Sequence, residues 1–399
     1  MNKTLLPKLR FPEFQDEWEG YFGNQLFDPI SNKEHNSSLP VLAITQEHGA
    51  IPRDLIDYQV FVTDKSIASY KVVEVGDFII SLRSFQGGIE YSEYKGLCSP
   101  AYIILRKKNE LSEAYFKYFF KTERFIQQLQ KNLEGLRDGK MVSYEQFSEL
   151  LLPTPTTAEQ QKIADCLTSL DDLIAAQSQK VAALQAYKKG LMQNLFPAEG
   201  ESVPRLRFPE FESAGEWEEK TLGKAATFYN GKAYKQEELL EHGKYRVLRV
   251  GNFFTNNNWY YSDLELDETK YCENGDLLYA WSASFGPRIW HGEKVIYHYH
   301  IWKVVAEKNI NKDFLYLVLD FETEKIRSQS ANGLGLLHIT KATIENWKCM
   351  FPKDPNEQQR IAELLSALDE EISAQGESLA ALKVHKRGLM QGLFPSGGG

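Results

Sequence analysis

One stretch occurs twice in this chain, and the repeat restricts the fold more than any other feature. Glu159 to Pro197 reads EQQKIADCLTSLDDLIAAQSQKVAALQAYKKGLMQNLFP. Glu357 to Pro395, 198 positions on, reads EQQRIAELLSALDEEISAQGESLAALKVHKRGLMQGLFP, and 22 of the 39 aligned positions are identical without a gap. Both copies carry an apolar seam whose steps alternate four and three, the seven-residue repeat of a coiled coil. In the first it runs Ile163, Leu167, Leu170, Ile174, Gln177, Val181, Leu184, Lys188, Leu191, Leu195. In the second it runs Ile361, Leu365, Leu368, Ile372, Gln375, Leu379, Leu382, Lys386, Leu389, Leu393. The polar interruptions fall at equivalent places, and polar seam residues trade stability for register and partner orientation.

Each stretch opens with a helix-start signal. Thr156 and Asp354 are N-cap candidates, with Glu159 and Glu357 three residues later, as a capping box requires, and Pro355 suited to the first helical position. Pro197 and Pro395 close the helices. Gly190 and Gly388 interrupt good helix, through either a frayed last turn or a close approach of two backbones. A helix of about 37 residues is roughly 55 Å long, a strut longer than a small domain. The order block, helix, block, helix predicts an antiparallel coiled coil with pseudo-twofold symmetry. The alternative is two helices that each pack on their own block.

The expected segments are a first domain over 1–155, a spacer helix over 156–197, a second domain over 198–353, a second spacer helix over 354–395 and a tail over 396–399, whose glycines read as a cloning remnant. The blocks are related too. Pro7-Lys8-Leu9-Arg10-Phe11-Pro12-Glu13-Phe14 returns as Pro204-Arg205-Leu206-Arg207-Phe208-Pro209-Glu210-Phe211, followed by Trp18 and Trp217. These read as short aromatic hooks that pack locally. Gly76-Asp77 matches Gly275-Asp276, each before an apolar strand (78–82 and 277–281). A second strand follows at 101–105 and 300–305. Polar loops at 83–88 and 282–288 separate the strands. An aromatic helix (112–130 and 312–328), a Gly-flanked loop (135–140 and 332–338) and a strand leading to Pro153 or Pro352 complete each block. The fold class expected is α+β, with two similar mixed α/β domains on two long helices.

No apolar run approaches the length of a membrane span, and no secretory h-region precedes the first block. Cys98, Cys166, Cys272 and Cys349 are far apart and contain no CxxC, which fits a reduced, cytoplasmic chain without a zinc site. The net charge is −9. Residues 1–155 carry 18 basic and 21 acidic groups, and residues 199–355 carry 20 and 24. A chain that held DNA alone by neutralising phosphates would usually be basic, so either nucleic acid is not the ligand or partner subunits supply much of the attraction.

Catalytic signatures are missing. The chain has no GxxxxGK[ST] loop, HExxH helix or GxSxG elbow. Glu218-Glu219-Lys220 reads as a solvated face rather than a nuclease site. His298 and His300 alternate on one strand face but have no third ligand nearby in sequence. The chain reads as a binder. Arginine can grip guanine bidentately, and asparagine or glutamine can grip adenine, so loop residues are the candidates for base reading. Block one offers Arg83, Ser84, Gln86, Arg137 and Lys140, with His48 and Arg53 further off. Block two offers Lys232, Arg246, Arg249, Asn252, Ser284 and Arg288, with the run from Asn256 to Tyr261 as a further contact or a surface turn.

The two PxLRFPEF starts, the Glu-Gln-Gln helix starts and the KxGLMQxLFP ends together resemble the DNA specificity subunit of a bacterial type I restriction-modification system, over nearly the whole chain. The resemblance implies that each block is a target-recognition domain reading half of a bipartite double-stranded DNA site. It implies that the helices space the two halves and dock two modification (methyltransferase) subunits, which carry S-adenosylmethionine and adenine methylation. Restriction subunits would bring ATP and Mg. No cofactor is expected on this chain, and its expected place is the bacterial cytoplasm, at the nucleoid. Two other classes compete. A coiled-coil adaptor that binds no DNA leaves the duplicated blocks with divergent loops unexplained, and a lone nuclease or methyltransferase lacks a catalytic motif.

Overall fold

The repeated stretches each form a single helix of 39 residues, Thr157–Leu195 (the central helix) and Pro355–Leu393 (the C-terminal helix). The computed structural model describes residues 6–56, 67–108, 110–131, 142–254, 257–282, 284–330 and 339–395. The chain divides into two compact units, Met1–Gln179 with Glu377–Gly399, and Lys180–Gly376. Each therefore holds one block and part of both long helices.

In the first unit β1 (Glu19–Phe22) runs on through α1 (Gly23–Leu26) into β2 (Phe27–Ile30). The strands β3 (Leu42–Thr45) and β4 (Gly49–Pro52) form a hairpin, and β5 (Lys71–Val73) leads to β6 (Phe78–Ile80). Next come α2 (Ser84–Gly87), β7 (Glu90–Tyr91), β8 (Gly96–Cys98) and β9 (Ile103–Lys107). The helices α3 (Glu113–Phe119), α4 (Glu123–Lys131) and α5 (Tyr144–Ser148) precede β10 (Leu151–Thr154). The strand after the hook, β1, pairs antiparallel with the strand before the central helix, β10. The main sheet has the order β2-β9-β6-β7. Its core is aromatic: Phe27, Phe78, Phe116, Phe119, Phe120, Phe125 and Phe147 are all buried, mostly in edge-on and tilted ring contacts, the geometry that ring quadrupoles favour.

The second unit repeats the frame. It pairs β11 (Glu218–Thr221), which leads into α6 (Leu222–Ala225), with β20 (Lys348–Phe351). One sheet orders β12 (Ala226–Asn230), β19 (Ile301–Ala306), β16 (Leu277–Ser282) and β17 (Ser284–Ile289). The other orders β14 (Tyr260–Ser262), β13 (Tyr245–Leu248), β18 (Val295–Tyr297) and β15 (Tyr271–Cys272), with β13 and β18 parallel. The helices are α7 (Val250–Phe254), α8 (Lys312–Ser330) and α9 (Lys341–Glu345).

Several local expectations change. The segment read as a loop at 83–88 contains α2, and the one read at 282–288 is mostly β17, pairing with β16 from Leu277↔Ile289 to Ser282↔Ser284. A positive φ at Gly286 lets a Gly-Pro pair sit within that strand. The aromatic helix of block one is two helices, since the Thr122 hydroxyl donates to the Phe119 carbonyl at 2.8 Å at the break. The strand expected at 101–105 lies at Ile103–Lys107. The Gly-flanked loops at 135–140 and 332–338 lie outside the described residues.

Within each unit the long-helix segments run antiparallel. In the first, Ile163 and Leu167 share a core with Leu389, Met390, Leu393 and Phe394, and Asp171 meets Lys386. As the number rises on one helix it falls on the other. In the second, Leu191, Met192 and Leu195 share a core with Ile361, Leu365 and Leu368, and Lys188 meets Asp369 at 2.6 Å. Every seam position is buried or half-buried, including Leu170, Ile174, Val181, Leu184, Ile372, Leu379 and Leu382. A Cβ built on Gly190 or Gly388 would meet nothing within 4 Å, so the close-approach reading of these glycines is corrected. The tight place is Gly392, where a Cβ would lie 2.4 Å from Leu9 Cδ1 and the hook's Leu9 amide donates to the Gly392 carbonyl.

Candidate nucleic-acid interface and its anchoring clamp

The hooks hold the start of each long helix by charge, not by apolar packing alone. Arg10 donates from Nε and Nη2 to the two oxygens of Glu159 at 2.7 and 2.8 Å, and Trp18 Nε1 donates to the same carboxylate at 3.1 Å. In the second unit Arg207 does the same to Glu357 at 2.7 and 2.8 Å, with Trp217 Nε1 at 3.2 Å. Both carboxylates are 1% exposed, so their charges need these partners. This corrects the capping-box reading. The Glu159 amide does donate to Thr156 Oγ1 at 3.4 Å, but the carboxylate turns to the hook. The next residue is a second latch. Gln160 Oε1 accepts from the Ser112 amide, and Gln358 Oε1 from the Asn311 amide, both at the start of the block's aromatic helix. Gln160 Nε2 and Gln358 Nε2 donate to Pro155 and Pro352 carbonyls. The repeated Glu-Gln pair thus ties helix, hook and block together.

The seam lysines have partners as well. Lys386 pairs with Asp171, and Lys188 with Asp369. The pairs are equivalent under the 198-residue repeat. In the second unit the pair borders a half-buried acid, Asp320. Burial pushes the Asp320 carboxyl up, Lys188 and Arg288 pull it down, and Asp369 pushes it up.

In the first unit Arg83, at the N-cap of α2, and Gln86, on α2, are exposed. Ser84 is corrected: it is 1% exposed and its Oγ accepts from the Ser81 amide at 2.9 Å, so it shapes the turn from inside. Gly88, at φ +82, lies so close to the Phe120 carbonyl that no Cβ fits, which pins the end of α2 to α3. His48 lies beside the β3–β4 turn and Arg53 opens a short turn of 3₁₀ helix. Arg137 and Lys140 lie outside the described residues, as do Asn256 and Ala283.

In the second unit Lys232, Arg249 and Asn252 gather around one surface. At its centre is the tight connection from β18 to β19, His298-Tyr299-His300. The Lys232 amide donates to the Tyr297 carbonyl and the Tyr299 amide to the Lys232 carbonyl. Gly231 permits this crossing, since a Cβ there would lie 2.4 Å from the Tyr297 and His298 carbonyl oxygens. The rings of His298 and His300 lie 4.8 Å apart, those of Tyr299 and His300 3.9 Å, and Trp281 meets His300 edge-on at 5.0 Å. Tyr234 stacks on His298. Burial, then His300 and Arg249, bring the His298 imidazole down to about 4, so it is neutral at neutral pH. The Arg249 guanidinium lies over the Tyr260 ring at 4.2 Å. The Asn252 amide is tied up locally, donating to the Asn258 carbonyl at 2.7 Å and accepting weakly from the Arg249 amide. Lys232 is neutralised by Glu238 at 3.0 Å. In the sequence His298 and His300 form only a pair without a third ligand, and no local signal marks Tyr234, Trp281 or Tyr299. Among the described residues no group of three or more His, Cys, Asp or Glu comes together as a metal site.

The remaining candidates lie elsewhere in that unit. Arg246 bridges to Glu293 at 3.1 Å and covers Trp259. Ser284 is exposed at the start of β17. Arg288 faces the half-buried Tyr316 phenol, next to Asp320. That contact corrects its reading as a loop residue: β17 directs it at α8. Glu218 and Glu219 pair with Lys220 and Lys348 on the solvated face expected. Among the described residues no helix is long and apolar enough to cross a membrane.

A family model described as the type I restriction modification DNA specificity domain matches the chain twice, over residues 29–186 and 214–383. The type I restriction enzyme MjaVIII specificity subunit of Methanocaldococcus jannaschii is 24% identical over 349 residues, covering 82% of this chain and 80% of that protein. A putative type I restriction enzyme MjaX specificity subunit from the same organism is 22% identical over 411 residues, covering 96% and 94%. Among solved structures, the type I restriction-modification S subunit from M. genitalium shares the fold with a TM-score of 0.60 at 19% identity, covering 98% of this chain and all of that one. A chain from a study of complex assembly and conformational transition in the type I R-M system has a TM-score of 0.56 at 17% identity, covering 95% and 97%.

Proposed function

Because the chain belongs to the type I restriction modification DNA specificity domain family, we propose that it is the DNA-recognising, non-catalytic subunit of a restriction-modification complex. Each block, 1–155 and 198–353, reads one half of a bipartite double-stranded site. The helices over 156–197 and 354–395 set the unread gap between the halves and dock two methyltransferase subunits, with restriction subunits joining the assembly. S-adenosylmethionine, ATP and Mg belong to those partners. The observation that carries this reading is the contrast inside the duplication. The clamp Arg-Glu-Trp, the Gln latch and the Lys–Asp seam pair recur residue for residue, while the surfaces built on the two frames differ, α2 with Arg83 and Gln86 in one and the histidine turn in the other. A shared frame with unlike surfaces is what two readers of unlike half-sites need. The acidic balance of the chain leaves most phosphate neutralisation to its partners.

The test is sequence-dependent binding by the full chain with and without its methyltransferase subunits. The proposal expects selective binding and adenine methylation only in the complex. An adaptor would give no sequence dependence in either case, and turnover by the chain alone would mark it as an enzyme.

A further inference from the structure

We infer that the His298-Tyr299-His300 turn, flanked by Arg249 and Tyr234, is the base-reading surface of the second unit and fixes at least one guanine or adenine of its half-site. The inference rests on the DNA-recognition reading and names the residues that carry it out. Among the described residues three buried side-chain polar atoms lack a hydrogen-bond partner, and two of them, Tyr234 Oη and Arg249 Nε, flank this turn. A buried donor without a partner is costly, and native proteins keep such groups where something else satisfies them. The turn itself has little freedom: Gly231 and Lys232 cross it through backbone hydrogen bonds, and its rings continue through Trp281 and Trp302 into the core. Rigid support of this kind suits a reading surface.

The chemistry fits base edges better than phosphate. Lys232 is already paired to Glu238. His298 is neutral at neutral pH, and a neutral imidazole offers one donor and one acceptor. Purines present N7 as an acceptor beside the O6 acceptor of guanine or the N6 donor of adenine in the major groove. Tyr299, 37% exposed, adds an accessible ring and hydroxyl.

The experiment is sequencing of methylated sites from cells expressing the full chain with its methyltransferase subunits, for the unaltered chain and for Tyr299→Ala, His298→Ala, His300→Ala and Arg249→Ala. The expected result is a site degenerate at one or two positions of one half, with discrimination there reduced about tenfold or more, and the other half unchanged. An unchanged motif overturns the inference. So does an even loss at all sites by a variant that melts like the unaltered chain, because it marks a phosphate contact. Tyr299→Ala, at the surface, keeps the test decisive if a more buried variant does not fold. Absence of any sequence-specific methylation by the unaltered chain would instead overturn the DNA-recognition reading itself.

Discussion

Two carboxylates, Glu159 and Glu357, decide how the ends of the chain's blocks are held. Each is almost fully buried and gripped by two arginine nitrogens and an indole. Removing the arginine leaves a buried charge unpaired, which costs roughly 3–5 kcal/mol. Arg207→Ala should therefore lower the unfolding free energy of the full chain, read from urea titration, by that order. Arg10→Ala should cost less, since its side chain is 17% exposed against 8% for Arg207. Equal, negligible losses would mean that apolar packing holds the hooks, as sequence reasoning expected. Both arginines and both glutamates stand out in the sequence, but no local signal joins residues 149 apart. His298 gives a second prediction. Its folded state resists protonation down to about 4, mainly through burial, whereas the unfolded imidazole takes a proton near 6.5. The unfolded state then binds more protons in that interval, so stability is full above pH 6.5 and falls as pH drops towards 4. His298→Gln should fall less between pH 7 and pH 5 in urea titrations, and an identical slope would count against the buried, neutral imidazole.

At the level of single elements, the helix pair carries its polar seam residues as cross-helix charges. Both Lys–Asp pairs are part-exposed, so a double-mutant cycle on Lys386 and Asp171 should give a coupling of about 0.5–1 kcal/mol. Lys386→Glu should destabilise the chain, and Asp171→Lys added to it should restore the loss. Glycines separate in the same way. Gly190→Ala and Gly388→Ala place a methyl in open space and should each stabilise the free chain by up to about 1 kcal/mol, while Gly392→Ala pushes on Leu9 and should lower the melting temperature. The helices were legible because a seven-residue period is a local signal. The segments at 83–88 and 282–288 differ from their local reading because Gly, Ser and Arg favour loops locally, whereas the burial of Ser84 against the Ser81 amide and the six-pair register of β16 with β17 are set by the packed structure.

For the whole molecule, the duplication was plain in the sequence, and so was the division into recurring frame and differing surface. The residues that make the second surface were less legible, because a turn holding two histidines and a tyrosine gains its meaning only when Lys232 and Tyr234, after β12, and Arg249, after β13, are brought to it. On the proposed reading, a heptad added to both long helices lengthens each by about 10 Å and shifts the unread gap by about three base pairs, with the bases read at either end unchanged. Methylation of a ladder of sites with varied gaps checks this, and an unaltered gap preference would separate the helices from spacing. The most direct measurement is the sequencing of methylated adenines in a host expressing the unaltered chain with its methyltransferase subunits. The account predicts a two-part motif, unlike in its two halves and split by a fixed run of unspecified bases. A single contiguous motif, or methylation without sequence preference, would contradict it.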